Sequence, residues 1–223
     1  HYDRRRQRQM CIRDRVVGAG ISGILAAKNA AKNNFKTLLV DEKNELGGST
    51  IYENNEFNKI DNKAPSEWLK KEIEELKNIK NLEIKTRTSV AAYHQYNYLL
   101  ARENLTDHLE AKDKTNKIRQ RLLKIRAKKV ILATGALERP LIFNNNDRPG
   151  IMLSSAIKKY SEFYGVACGS KNVFFTNNDS AYESAISLYN KGINVEAIID
   201  IREQSESKIV KKVKEAGIKI YWS

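Results

Sequence analysis

The sequence predicts an α/β protein with a two-dinucleotide-binding-domain, flavoprotein-like Rossmann fold, truncated, with a small antiparallel β insertion. Three segments predict it. Val16-Val17-Gly18-Ala19-Gly20-Ile21-Ser22-Gly23 is a glycine-rich turn between an apolar strand and a helix. Leu38-Leu39-Val40-Asp41-Glu42, followed by Gly47-Gly48, is a buried strand ending in acids. Val130-Ile131-Leu132-Ala133-Thr134-Gly135 is an apolar strand ending in a glycine. A lone GxGxxG is a weak signal; the three segments in order are a strong one.

Each piece has its own physics. Gly18 allows a tight turn, Gly20 lets backbone approach a pyrophosphate, and Gly23 lets the helix pack close to the sheet. The helix predicted over Ser22 to Ala31 offers its N-terminal N–H groups and dipole to a phosphate. Asp41 stands 23 residues after Gly18, where an acid can accept hydrogen bonds from ribose hydroxyls. Glu42 can do the same, and the two are not ranked by spacing alone. Thr134 and Gly135 bring backbone close to a cofactor, and Gly48 belongs to the same loop system. The bland alternative is a βα turn with a surface acid and no ligand.

Composition narrows the class. The 223 residues are 41% hydrophobic with 3 Pro, enough for one or two cored α/β domains. No apolar run approaches the ~20 residues of a membrane span. Cys11 and Cys168 form neither a CxxC nor a metal spacing, so a redox dithiol is missing and a reducing cytoplasmic compartment is expected. The net charge of +13 is not a nucleic-acid footprint: residues 1–15 contribute +4, and the rest is spread without aromatic interleaving. Met10-Cys11-Ile12-Arg13-Asp14-Arg15 resembles the translation of a sequencing-adapter segment. Residues 1–15 are therefore expected to be a non-native tail, with the natural sequence starting near Val16.

Three regions follow: the tail at 1–15, a first dinucleotide-binding domain at 16–149, and a partial second Rossmann-like unit at 150–223. In the first, strands are expected at 15–19, 37–41 and 82–86, with a helix from Pro65 to about Lys80 capped by Ser66. A further strand with Tyr93, Tyr96 and Tyr98 in alternation over 91–102 suggests the antiparallel insertion. Val90, at the end of a strand, can flank an adenine or simply fill core. Strands at 121–127 and 130–133 close the domain. In the second unit, helices at 155–164 and 181–191 alternate with strands at 172–176 and 195–200, and 219–223 reads as a last strand. Where a second glycine fingerprint belongs, the chain reads Thr176-Asn177-Asn178-Asp179-Ser180-Ala181. Side chains fill that turn, so ordinary nicotinamide binding is expected to be lost there.

Longer words carry a family resemblance. The stretch from Gln120 to Pro140, Asn145-Asn146-Asp147-Arg148-Pro149-Gly150-Ile151-Met152-Leu153, and Phe175-Thr176-Asn177-Asn178-Asp179-Ser180-Ala181-Tyr182 resemble the alpha subunit of heterotetrameric sarcosine oxidases. The resemblance runs through nearly all of 16–223. It implies oxidative demethylation of sarcosine to glycine with hydrogen peroxide formed, the one-carbon unit passing to tetrahydrofolate. It implies beta, gamma and delta partner subunits, with FAD and FMN in the intact complex. It also implies NAD as a non-reacting ligand in the first site, with FAD as the alternative, held by Ser22, Asp41, Glu42, Lys43, Ser49 and Val90. Segments before Val16 and beyond Ser223 are expected in the family's full subunit.

No general base, nucleophile or metal cluster stands out, so no catalytic residue is assigned and the fragment alone is expected to be inactive. Competing readings are an FAD-dependent amine, opine or glycine dehydrogenase subunit, and a stand-alone FAD- or NAD-binding oxidoreductase. The last predicts a redox dithiol or an intact second glycine fingerprint, and the sequence has neither.

Overall fold

A computed structural model describes residues 8–53, 59–114 and 117–223. Residues 1–7 of the expected tail lie outside the described residues. The chain divides into two compact units, one of residues 1–51 and 60–135, the other of 52–59 and 136–223.

The first unit is an α/β layer on a six-stranded sheet in the order β3-β2-β1-β6-β5-β4. Its elements are β1 (Arg8–Val17), α1 (Ile21–Lys32), β2 (Thr37–Val40), α2 (Pro65–Lys77), β3 (Leu82–Lys85), β4 (Thr88–His94), β5 (Tyr98–Asn104), a short α3 (Ala111–Lys114) and β6 (Gln120–Leu132). β3, β2, β1 and β6 are parallel neighbours. β4, β5 and β6 form the antiparallel part. β2 is buried throughout, as expected of a strand covered on both faces.

Two apolar clusters hold this sheet. Val16, Ala19, Ile24, Ala27, Leu39, Trp68, Leu69 and Leu76 pack the helices onto one face. Val17, Leu38, Val40, Leu99, Ala101, Leu123 and Ile125 form the other. The alternation Val16/Val17 and Leu38/Leu39 sends neighbouring residues to opposite faces, the period-two rule of a strand.

Four details differ from the sequence reading. β1 begins at Arg8, because backbone from Arg8 onward pairs with β6 from Leu123. The segments 121–127 and 130–133 are one strand, since no turn residue separates them. The expected single strand over 91–102 is a hairpin, reversed at Tyr96 and Asn97, both with positive φ. α2 is capped by Ala64 with Pro65 at its first position, so Ser66 lies inside the helix. Proline suits that position because its fixed φ is helical and its missing N–H has no partner there anyway.

The second unit contains α4 (Ser154–Tyr164), β7 (Asn172–Thr176), α5 (Ser180–Asn190), β8 (Val195–Asp200), α6 (Lys208–Glu215) and β9 (Lys219–Trp222). The sheet is parallel, in the order β7-β8-β9. Tyr182, Ala185, Leu188, Ile198, Val210 and Val213 are at its core. α6 is not anticipated by the sequence reading: only Ile209, Val210 and Val213 mark its buried side, too short a pattern to separate from a loop. Glu138 holds the start of α4, its carboxylate accepting from the backbone N–H groups of Ser154 (3.1 Å) and Ser155 (2.7 Å).

Candidate nucleotide site in the first unit

The glycine turn sits where β1, β2 and β6 end. Gly18 donates its N–H to the Val40 carbonyl at 2.8 Å, and Ala133 donates to the Val17 carbonyl at 2.7 Å. Gly18 has φ +95°, and a Cβ there would lie 2.2 Å from the Ala133 carbonyl oxygen. The Thr134 Cα would be 3.3 Å from the same atom, so the end of β6 runs directly past the turn. A Cβ on Gly23 would lie 1.8 Å from the Gly18 carbonyl oxygen. Both glycines are therefore demanded by the fold itself.

Gly20 differs from them. It caps α1 with an ordinary φ of −73°, and a Cβ there would meet nothing within 4 Å. Beyond it, α1 starts without a side-chain cap hydrogen bond and without an acidic residue in its first turn. The helix N-terminus thus presents unmatched backbone N–H groups and positive dipole beside open space. Ser22 is exposed in this first turn. The Gly47-Gly48 loop closes over the same place. Gly47 donates to the Ala19 carbonyl at 2.7 Å, and a Cβ on Gly48 would lie 3.1 Å from the Gly20 Cα. Ser49 is exposed on the turn that follows.

Asp41 is tied to the same loop. Its Oδ2 accepts from the Ala19 N–H at 2.6 Å, and its Oδ1 from the Lys43 N–H at 2.8 Å. Its backbone is held on both sides, donating to the Lys85 carbonyl and accepting from the Thr88 N–H. Glu42 is exposed, whereas Asp41 is half-buried against the turn. Of the two acids, Asp41 is the one the fold anchors at the turn. Lys43 is half-buried, its carbonyl accepting from the Arg87 N–H at 2.8 Å. Val90 is half-buried against the cluster that contains Val17, one residue before Gly18. Thr134 and Gly135 are exposed, Gly135 with φ +74°.

The fold thus brings Gly18, Gly20, Ser22, Gly23, Asp41, Gly48 and Thr134 to one turn. Val90 is placed by its core packing, and Glu42 and Ser49 are exposed. The open space at Gly20, the uncapped helix and the strand-end acid fit the pyrophosphate and ribose of a dinucleotide. Sequence reasoning did not see the Asp41–Ala19 bond, because nothing in local spacing reports which N–H a carboxylate meets. Among the described residues, no group of three or more His, Cys, Asp or Glu side chains is placed to hold a metal ion.

A family model described as pyridine nucleotide-disulphide oxidoreductase matches residues 15–219. The chain belongs to that family. Curated relatives narrow the neighbourhood of this oxidoreductase. The chain is 39% identical over 205 residues to sarcosine oxidase subunit alpha of Corynebacterium sp. (strain P-1), covering 92% of this chain and 21% of that protein. It is 37% identical over 187 residues to sarcosine oxidase subunit alpha of Rhizobium meliloti (strain 1021), covering 84% and 18%. The resemblance read from the sequence is thus upheld, over a stretch spanning about a fifth of those relatives' length. Among solved structures, L-proline dehydrogenase from P. horikoshii superposes with a TM-score of 0.70 at 25% identity, covering 91% of this chain and 38% of that one. Thioredoxin reductase from T. acidophilum shares the fold, with a TM-score of 0.62 at 19% identity over 95% and 64%. Among the described residues, no helix is long and apolar enough to cross a membrane.

Proposed function

We propose that this chain is the nucleotide-binding part of the alpha subunit of a sarcosine-oxidase-like complex. It holds NAD in the first unit as a non-reacting ligand. Gly20 carries the reading: unlike Gly18 and Gly23 it answers no steric demand of the protein, and it leaves clear the space in front of an uncapped helix. The backbone N–H groups of Ser22 and Gly23 would face the pyrophosphate, and the Asp41 carboxylate would turn from Ala19 to ribose hydroxyls. Lys43, Gly48, Ser49, Val90, Thr134 and Gly135 would line the remainder, with Glu42 at the solvent side.

The reaction assigned to the whole complex is oxidative demethylation of sarcosine, a CH–NH donor, with oxygen as acceptor and tetrahydrofolate taking the one-carbon unit. Substrate and flavin chemistry belong to the intact complex formed with beta, gamma and delta partner subunits, and FAD and FMN are cofactors of that complex. The two cysteines, without CxxC spacing, fit a reducing cytoplasmic compartment.

The test is to denature the purified chain and identify what it releases by mass and absorbance. NAD at about one equivalent, lost in Gly20→Val, is the expected result. Released FAD would move the reading to an FAD-binding dehydrogenase subunit. No nucleotide and no measurable NAD affinity in the folded chain would overturn it.

A further inference from the structure

The family's name implies a pyridine nucleotide, and β7-α5-β8 of the second unit has the strand–turn–helix–strand order that holds one. The residues present do not fit it. We infer that the second unit binds no pyridine nucleotide because its crevice is closed by an internal Arg202–Asp200–Asp179 lock.

The turn is filled first. The Thr176 hydroxyl accepts from the Asn178 N–H at 3.1 Å, and the Asn178 side-chain oxygen accepts from the Ser180 N–H at 3.0 Å. The Ser180 hydroxyl donates to that oxygen at 2.5 Å. The Ser180 N–H at the start of α5 is therefore taken by the Asn178 side chain, although the N-cap residue Asp179, like Gly20 of α1, makes no side-chain cap hydrogen bond. Asp179, the residue that caps α5, adds a carboxylate where a phosphate would have to sit. Arg202 Nη2 grips it at 2.8 Å.

The acid at the end of β8 is consumed as well. Asp200 is 0% exposed. It accepts from the Arg202 N–H (3.0 Å), from Arg202 Nε (3.1 and 3.2 Å to its two oxygens), from Arg202 Nη2 (2.7 Å) and from the Tyr182 hydroxyl (2.8 Å). A carboxylate offers about four acceptor positions, and these donors take them all. Asp41 holds the matching strand-end position in the first unit, but there, among the described residues, its carboxylate accepts from two backbone N–H groups and no side chain. The Arg202 guanidinium thus supplies from within the hydrogen-bond donors that ribose hydroxyls would otherwise bring. The chain carries one nucleotide rather than two, and the proposed first-unit dinucleotide has no pyridine-nucleotide reductant within this chain.

Equilibrium dialysis of the full chain with NADH and NADPH, up to about 1 mM, the top of the usual working range, tests this. Gly20→Val reports the first unit. Ser180→Glu reports the second: it puts a negative charge on an exposed helix start, where acids favour folding. The inference rests on the first-site reading only for the total, and the two fail differently. The lock predicts no retention in Gly20→Val and unchanged retention in Ser180→Glu. Retention that survives Gly20→Val and falls tenfold or more in Ser180→Glu would overturn the lock. No retention in the unaltered chain would sink the first-site reading and leave the lock standing, and retention indifferent to both variants would overturn both.

Discussion

The Asp41 carboxylate accepts a 2.6 Å hydrogen bond from the backbone N–H of Ala19, 22 residues earlier in the chain. One side chain therefore links the end of β2 to the middle of the glycine turn, before any ligand is considered. Asp41→Ala removes the acceptor and leaves the Ala19 N–H facing a half-buried space. The expected cost is about 1–3 kcal/mol of folding stability, read as a lower urea midpoint. NAD affinity should fall at least tenfold in calorimetry. Glu42→Ala should leave both nearly unchanged, and a larger effect there than at Asp41 would reverse the ranking of the two acids.

The three glycines of the turn should separate under alanine substitution. Gly18→Ala combines a strained φ with a backbone clash, and Gly23→Ala drives a methyl into the Gly18 carbonyl. Each should lose at least about 2 kcal/mol, as overpacked and strained positions do. Gly20→Ala should cost no more than about 1 kcal/mol, since a methyl there meets nothing and only the N-cap preference for glycine over alanine is lost. Thermal unfolding of the three variants decides it, and a large loss at Gly20 would contradict the open space drawn there.

Arg15 lies in β1 between Leu38 and Val130 in register, fully buried, and among the described residues none of its three guanidinium nitrogens has a hydrogen-bond partner. Burial lowers its pKa to about 10, with Glu83 pulling weakly the other way. Arg15→Leu should therefore stabilise the chain by about 1–4 kcal/mol, the range for replacing buried charge with packed apolar groups. The sign with pH follows from linkage. Above about pH 10 and below the ordinary guanidinium range, the unfolded chain holds the extra proton, so the parent's stability rises with pH. The advantage of Arg15→Leu should accordingly shrink when urea midpoints at pH 9 and pH 11 are compared.

The Arg202 lock has its own pH signature. Burial alone would raise the Asp200 carboxyl, but hydrogen bonds from Arg202 and Tyr182 outweigh it and hold the group below its usual range. A depressed acid contributes stability above its unfolded value, near 4, and loses that contribution as pH falls through the folded value. Arg202→Ala leaves a buried carboxylate with only the Tyr182 hydroxyl and one backbone N–H. The loss at pH 7 should be about 3–5 kcal/mol, toward the lower end because the Arg202 side chain is 32% exposed. The difference between parent and variant should also shrink as pH falls below about 4, because protonation of Asp200 removes the buried charge that Arg202 neutralises, a change followed in urea midpoints by circular dichroism.

What the chain declares along its length is the set of local signals. The glycine spacing from 18 to 23, the apolar run 38–40 ending in acids, and the strand before Thr134-Gly135 each act within a few residues, so they are legible without coordinates. The filled turn at Thr176–Ala181 is legible for the same reason. The hairpin turn at Tyr96 and the continuity of β6 were not, because strand ends depend on the neighbour that pairs with them. Only the tertiary structure decided that Asp41 rather than Glu42 meets the turn, that Gly20 is free where Gly18 and Gly23 are confined, that Arg15 is buried without a hydrogen-bond partner among the described residues, and that Arg202 closes on Asp200 and Asp179. Each of those depends on contacts that the backbone path brings together, most of them between residues far apart in sequence, and a carboxylate or guanidinium carries no mark of the partner it will find.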